Sequence, residues 1–305
     1  MIVFATSDQG GTGRSVTCAN IAYRLALGGD DVAYVDFDFG SPTAAAVFAS
    51  GAAARGVRAG GLHSFLQGRI AEPTRLDVWS LSQRAALREG HVHRGRLCLV
   101  PGDRGGGDFP VGGTETKRCA ELLLTLEEEF DVTIVDLRAG RSYALDVSLR
   151  ATARQELRHV PTRWLVFHRW TRQHVEGAVD LVHGDCGILR TGVQYGHDET
   201  GFSGRLRYVP TAVPPLDAAK SGSRDSEYGA WRKARDAELK AMTAPLHPDH
   251  EVLIGPVPLD PVLLWQERVI TDEDTAVSPG AAEETVRAFT NLAHALKDSR
   301  TWAFG

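Results

Sequence analysis

The sequence predicts an α/β fold, a three-layer, doubly wound and mainly parallel sheet with helices on both faces. Three observations predict it. Short apolar runs of strand length alternate with segments of helical periodicity along most of the 305 residues. The first apolar run passes directly into a glycine-rich turn and then into a helical pattern. A hydrophobic content of 43% over this length suffices to bury the core of a large α/β domain, so residues 1–305 are read as one domain.

Met1–Thr6 has the apolar run of a buried strand, followed by the turn containing Gly10, Gly11 and Gly13. From Ser15, apolar Cys18, Ile21, Ala22, Leu25 and Ala26 recur at helical spacing until Gly28-Gly29 ends the run. Asp31–Asp36 reads as a second strand, which makes a strand–loop–helix–strand crossover of the kind that sets strands parallel. The alternation continues with a helix near Leu62–Gln67, a strand at Arg96–Pro101, a helix at Glu115–Glu129 and a strand at Val132–Asp136. Helices are expected at Ser142–Glu156, Arg172–His183, Glu227–Met242 and Ala281–Lys297, and strands at Arg163–His168, Leu206–Pro210 and Val252–Pro256. The Gly- and Ala-rich stretches Ala49–Gly61 and Tyr195–Gly204 read as mobile surface loops, with Gly105–Gly107 and Pro214–Ser226 similar to them.

A net charge of −5 gives no overall attraction to nucleic acid or an anionic membrane. Cys18, Cys98, Cys119 and Cys186 are far apart with no C-x-x-C pair, which argues against zinc, an iron–sulfur cluster or a disulfide framework. No stretch approaches the ~18 apolar residues of a membrane span, and no signal-peptide pattern opens the chain, so the expected location is cytoplasmic. His91/His93 and His247/His250 lack the Cys or acidic neighbours of a metal site and read as surface histidines.

The chemistry concentrates at Asp8-Gln9-Gly10-Gly11-Thr12-Gly13-Arg14-Ser15. Glycines in such a turn let backbone N–H groups converge on phosphate oxygens, a cation meets the outer phosphates, and a hydroxyl opening the helix holds Mg²⁺. A Gly-rich turn alone is equally the shape of a ligand-free strand-to-helix connection. Gln9–Ser15, however, resembles the loop K-G-G-x-G-K-[ST] of the deviant P-loop ATPases of the ParA/MinD type. Two further segments agree in order and spacing: Asp36-Phe37-Asp38-Phe39-Gly40 is similar to the family's D-x-D-x-G, and Asp136-Leu137-Arg138-Ala139-Gly140 to its D-x-P-x-G. Looser echoes extend the resemblance over most of the chain.

The resemblance implies ATP and Mg²⁺ as cofactors, with Gly10, Gly11, Thr12, Gly13, Arg14, Ser15 and Val16 around the phosphates. It implies Ser15, Asp38 and Asp136 at the metal, and Asp38 with Arg14 as the catalytic pair. Adenine is expected over Pro210-Thr211 and the Pro256–Pro258 segment, with Pro256 the residue singled out. Carboxylates so close to phosphates repel them unless Mg²⁺ intervenes, so binding is expected to depend on the metal. Asp36 reads either as part of this set or as a strand-end cap.

Two departures stand out. Uncharged Gln9 replaces the lysine that, in the family, reaches the partner's phosphates across an ATP-bound dimer. A trans-acting cation of this kind is worth ~10³–10⁵ in rate. Arg14 replaces the second lysine, keeping the charge but exchanging a compact ammonium for a planar fork. Arg138 and Arg141 are the nearest cations able to substitute, the alternative being two solvated arginines.

Two functions follow. One is a slow ATPase-driven dimerisation switch read by a protein partner, and Asp38 and Asp136 favour it. The other is a hydrolysis-deficient pseudo-ATPase acting as a nucleotide-sensing or structural interaction module, and Gln9 and Arg14 favour that. The expected assembly is a nucleotide-dependent homodimer. Nucleic-acid binding is disfavoured by the charge and the lack of a basic stripe. The tail Arg300–Phe304 carries too few cations for a membrane role.

Overall fold

Seven strands form one sheet in the order β3-β4-β2-β5-β1-β6-β7. They are β1 (Ile2–Ser7), β2 (Val32–Phe37), β3 (Leu76–Asp77), β4 (Leu97–Val100), β5 (Val132–Leu137), β6 (Thr162–Arg169) and β7 (Leu206–Thr211). Every pairing is parallel except that of the short edge strand β3 with β4. The computed structural model describes residues 1–89, 93–214, 230, 231, 233, 234, 236–239, 241, 253–276 and 280–302.

β1, β2 and β5 are buried along their whole length, as their continuous apolar runs require of strands covered on both faces. Alternation along β1 divides the core in two. Ile2 and Phe4 join Trp164 and Val166 beneath the helices Gly113–Glu129, Tyr143–Thr152 and Arg172–His183, and the Phe4 and Trp164 rings stack at 4.4 Å. Val3 and Ala5 face the other way, against helix α1 (Arg14–Leu27) and the helix Glu283–Lys297. These are the three layers the alternation predicts.

Some stretches are more ordered than their composition suggests. In Ala49–Gly61, Ser50 N–H donates to Ala45 O at 2.8 Å, Val57 N–H to Gly102 O at 2.9 Å, and Ala53 is buried. At Gly56 and Gly61 an added Cβ would lie within 2.6 Å of backbone atoms of 102–103, so these glycines permit close packing rather than mobility. Tyr195–Gly204 contains the helix Glu199–Ser203, capped by Asp198, with Phe202 buried beneath the His197 ring. The helix Ile188–Tyr195 and strand β3 are additions to the sequence reading.

Of the strand expected at Val252–Pro256, Leu253 forms only an isolated bridge to Tyr208, and Val252 lies outside the described residues. Most of Pro214–Ser226, much of Glu227–Met242, His91, His247 and His250 also lie outside them. The described residues between Ala230 and Ala241 are helical. Among the described residues no helix is long and apolar enough to cross a membrane.

Candidate functional site

β1 is flanked by β5 on one side and β6 on the other, so the loop following it opens at the carboxyl edge where an α/β sheet forms its binding crevice. The turn is built by its glycines. Gly11 and Gly13 take φ of 72° and 74°, a region that penalises any Cβ, and nothing lies within 4 Å of a Cβ built on Gly10, Gly11 or Gly13. The space around these three positions is therefore open. Gly13 is the N-cap of α1 and supplies no side-chain acceptor, and no acidic residue stands in the first turn. Among the described residues, no backbone N–H from Gly10 to Val16 donates to a protein acceptor. Free donors at a helix N-terminus favour an anion, which makes this loop a candidate anion cradle.

The loop's cation turns away from that cradle. Arg14 Nε donates to Asp136 Oδ1 at 2.5 Å and Nη1 donates to Ser7 Oγ at 3.0 Å. Arg14 is 7% exposed and Asp136 1%. Burial opposes the guanidinium charge, but the Asp136 carboxylate more than offsets it and leaves Arg14 above the ordinary arginine range. Tyr34, deep in β2, donates its hydroxyl to Asp136 Oδ2 at 2.8 Å, so both oxygens of that carboxylate are engaged.

Asp36 and Asp136 are register partners on β2 and β5. Asp36 accepts N–H donors from Asp38 at 3.2 Å and Ala44 at 3.0 Å. Burial, then the neighbouring Asp136, pushes its carboxyl up to about 8. Asp38 Oδ1 accepts from Ser41 N–H at 3.1 Å, and burial raises this carboxyl too, against the pull of Arg14.

A divalent cation would need oxygens that are free to ligate. Of the expected set, each oxygen of Asp136 already accepts a hydrogen bond, one from Arg14 and one from Tyr34, which leaves the Ser15 hydroxyl and one Asp38 oxygen. Among the described residues no group of three or more His, Cys, Asp or Glu is arranged to hold a metal. As disposed in this structure, these residues do not fit Mg²⁺.

The two candidate substitute cations are engaged. Arg138 pairs with Asp108 and lies against Gly40. Arg141 bonds Asp180 Oδ2 at 2.6 Å and the Cys186 carbonyl at 3.1 Å, and stands 3.8 Å from Asp8 Oδ1. Neither is uncommitted.

Beside the cradle lies a cleft of about 220 Å³. The loop residues Gly11, Thr12 and Gly13 form one wall with Val16, while Thr211, Val257 and Pro258 form another and Leu263 and Leu264 a third. Arg169 and Glu267 supply its charged rim. The expected neighbours Thr211 and Pro258 are there, whereas Pro256 is exposed and does not line the cleft. Thr211 Oγ1 sits 2.6 Å from the Thr12 carbonyl and ties β7 to the loop. A larger cleft of about 390 Å³, between the helices Tyr143–Thr152 and Ile188–Tyr195, shares no residue with the loop. The smaller one, continuous with the cradle, is the candidate site.

Sequence reasoning missed Tyr34, Ser7 and Leu263. A usable signal existed for Tyr34, because a tyrosine inside a buried strand must find a hydroxyl partner, and Asp136 lies on the neighbouring strand.

No protein-family model matches this chain, and no curated protein matches its sequence. Solved structures do match. MinD from Aquifex aeolicus, in its complex with MinC, aligns with a TM-score of 0.56 at 14% identity, covering 97% of this chain and 95% of that one. Apo McdA from Cyanothece gives 0.59 at 14%, covering 97% and 98%. MinD from Pyrococcus horikoshii, solved with Mg-ADP, gives 0.55 at 14%, covering 98% and 96%. Over nearly its whole length, then, the chain has the fold of the MinD, ParA and McdA ATPases.

Proposed function

We propose that this protein is a ParA/MinD-like nucleotide-binding module in which hydrolysis is suppressed, and that it acts through a partner that senses whether ATP is bound. The observation carrying the reading is the continuity of the two halves of the site: Gly11, Thr12 and Gly13 belong both to the open amide cradle and to the apolar cleft. A phosphate chain on the amides places its nucleoside between Thr211, Pro258 and Leu263.

Suppressed hydrolysis rests on two residues. Gln9 offers no charge to a second subunit, and Arg14 spends its Nε and Nη1 on Asp136 and Ser7 instead of on transferring phosphoryl oxygens. An ATPase switch with slow turnover is favoured by Asp38, whose second oxygen stays available beside the loop.

The reading takes 1–305 as one P-loop domain that works in the cytoplasm as a nucleotide-dependent homodimer. The Aquifex MinD relative is seen with MinC, and a pNOB8 ParA relative is bound to nonspecific DNA. With a net charge of −5, a protein partner suits this chain better than DNA.

Calorimetry with ATP, GTP and ADP, run beside light scattering and phosphate release, tests the reading. Saturable ATP binding with a shift to dimer and negligible phosphate release is expected. No binding up to millimolar nucleotide overturns it.

A further inference from the structure

The neutral, buried Arg14–Asp136 pair is the starting point. It occupies the carboxylate that the resemblance assigns to the metal, and Tyr34 closes the second oxygen. Each Asp136 oxygen already accepts one protein hydrogen bond and the residue is 1% exposed, so a divalent cation that recruits it, even through a water, competes with a guanidinium that keeps its proton at any working pH. Removing one partner of a buried pair leaves an uncompensated charge, which typically costs several kcal/mol. The phosphate-binding donors are independent of this exchange. The amides from Gly10 to Val16 donate to no protein acceptor among the described residues and carry no titratable group.

Resting on the reading that cradle and cleft take a nucleotide, we propose that this protein binds the nucleotide's phosphates through backbone amides without a divalent cation, Arg14 having replaced the metal as the counter-charge of Asp136. The side chain at position 14 is thus the residue that sets metal dependence. Lysine in its place is a compact ammonium on a flexible stem, without the planar fork whose Nε and Nη1 hold Asp136 and Ser7 from separate nitrogens, so its charge can turn to the phosphates. Arg14→Lys therefore frees an Asp136 oxygen, and Tyr34→Phe frees the other.

The test is calorimetric titration of the full chain with ATP, once in excess Mg²⁺ and once in EDTA. The dissociation constants of the wild type are expected to agree within about threefold, while for Arg14→Lys the constant in EDTA rises at least about tenfold above that in Mg²⁺, a difference of about 1.4 kcal/mol. Wild-type binding in Mg²⁺ but not in EDTA overturns the metal-free proposal and leaves the nucleotide reading intact. Absence of binding in both buffers overturns both. Should Arg14→Lys fail to fold, the wild-type comparison decides alone, with Tyr34→Phe as the second variant.

Discussion

Arg14 Nε and Asp136 Oδ1 stand 2.5 Å apart where α1 meets β5, with side chains 8% and 2% exposed. Water cannot replace either partner. Arg14→Met is expected to destabilise the fold by ~3–5 kcal/mol, because Asp136 is left charged and buried. Arg14→Met combined with Asp136→Leu removes both charges and should recover part of that loss. Urea unfolding of the two variants checks this, and a double variant no more stable than the single one contradicts it.

Gly13 holds φ of 74° at the N-cap of α1. Gly13→Ala places a Cβ in the left-handed region, at about 1–2 kcal/mol. On the nucleotide reading, the altered turn also disturbs the amides that would meet the phosphates. Thermal unfolding is expected to show the modest loss and calorimetry the absence of ATP binding.

Leu263 lines the cleft without belonging to either fully buried core. Leu263→Trp should fill much of the roughly 220 Å³ while leaving the sheet untouched. Nucleotide affinity is expected to fall at least about tenfold with an unchanged melting temperature, the signature of a blocked site rather than a damaged fold.

Gln9 lies beside the cradle as an uncharged residue. Gln9→Lys alone is expected to raise phosphate release only slightly, since Arg14 stays turned towards Asp136. Gln9→Lys with Arg14→Lys restores both cations of the resembling loop and should give the larger increase. A single-turnover assay with ATP separates the two, and equal rates would show that Arg14 is no obstacle.

His168 is buried at the end of β6 beside Tyr208 and Trp170. Burial lowers its imidazole from 6.5 to about 4, with the Arg169 carbonyl opposing and His174 assisting. Between those values the unfolded chain binds more protons than the native one, so stability is complete above pH 6.5 and declines as the pH falls towards 4. The contribution is on the order of 3 kcal/mol. Urea unfolding from pH 7 to 4 should show a shallower decline for His168→Phe, and parallel curves would remove His168 as the cause.

The legible parts of the fold were those where a periodic pattern met a clear stop. Helix Arg172–His183 occupies the residues its spacing predicts, and α1 ends before Gly28-Gly29. The Ile188–Tyr195 helix has only Ile188 and Gly192 fully buried, too few to write a period into the sequence. Composition misled at Ala49–Gly61, where Gly56 and Gly61 serve close backbone contact. In the site, the loop's position was readable from its glycines, but the direction of Arg14 was not. Direction depends on Ser7 and Asp136, the latter 122 residues away and brought near only by strand order.

The short contact between Thr211 and the Thr12 carbonyl makes the two ends of the candidate ligand energetically inseparable. A base that displaces Thr211 pulls on the peptide between Gly11 and Gly13, and a phosphate that reshapes that peptide alters the floor beneath the base. Adenosine and inorganic pyrophosphate, measured as fragments, would then fail to add up to the whole nucleotide, because each separately meets a site whose other half is still unset.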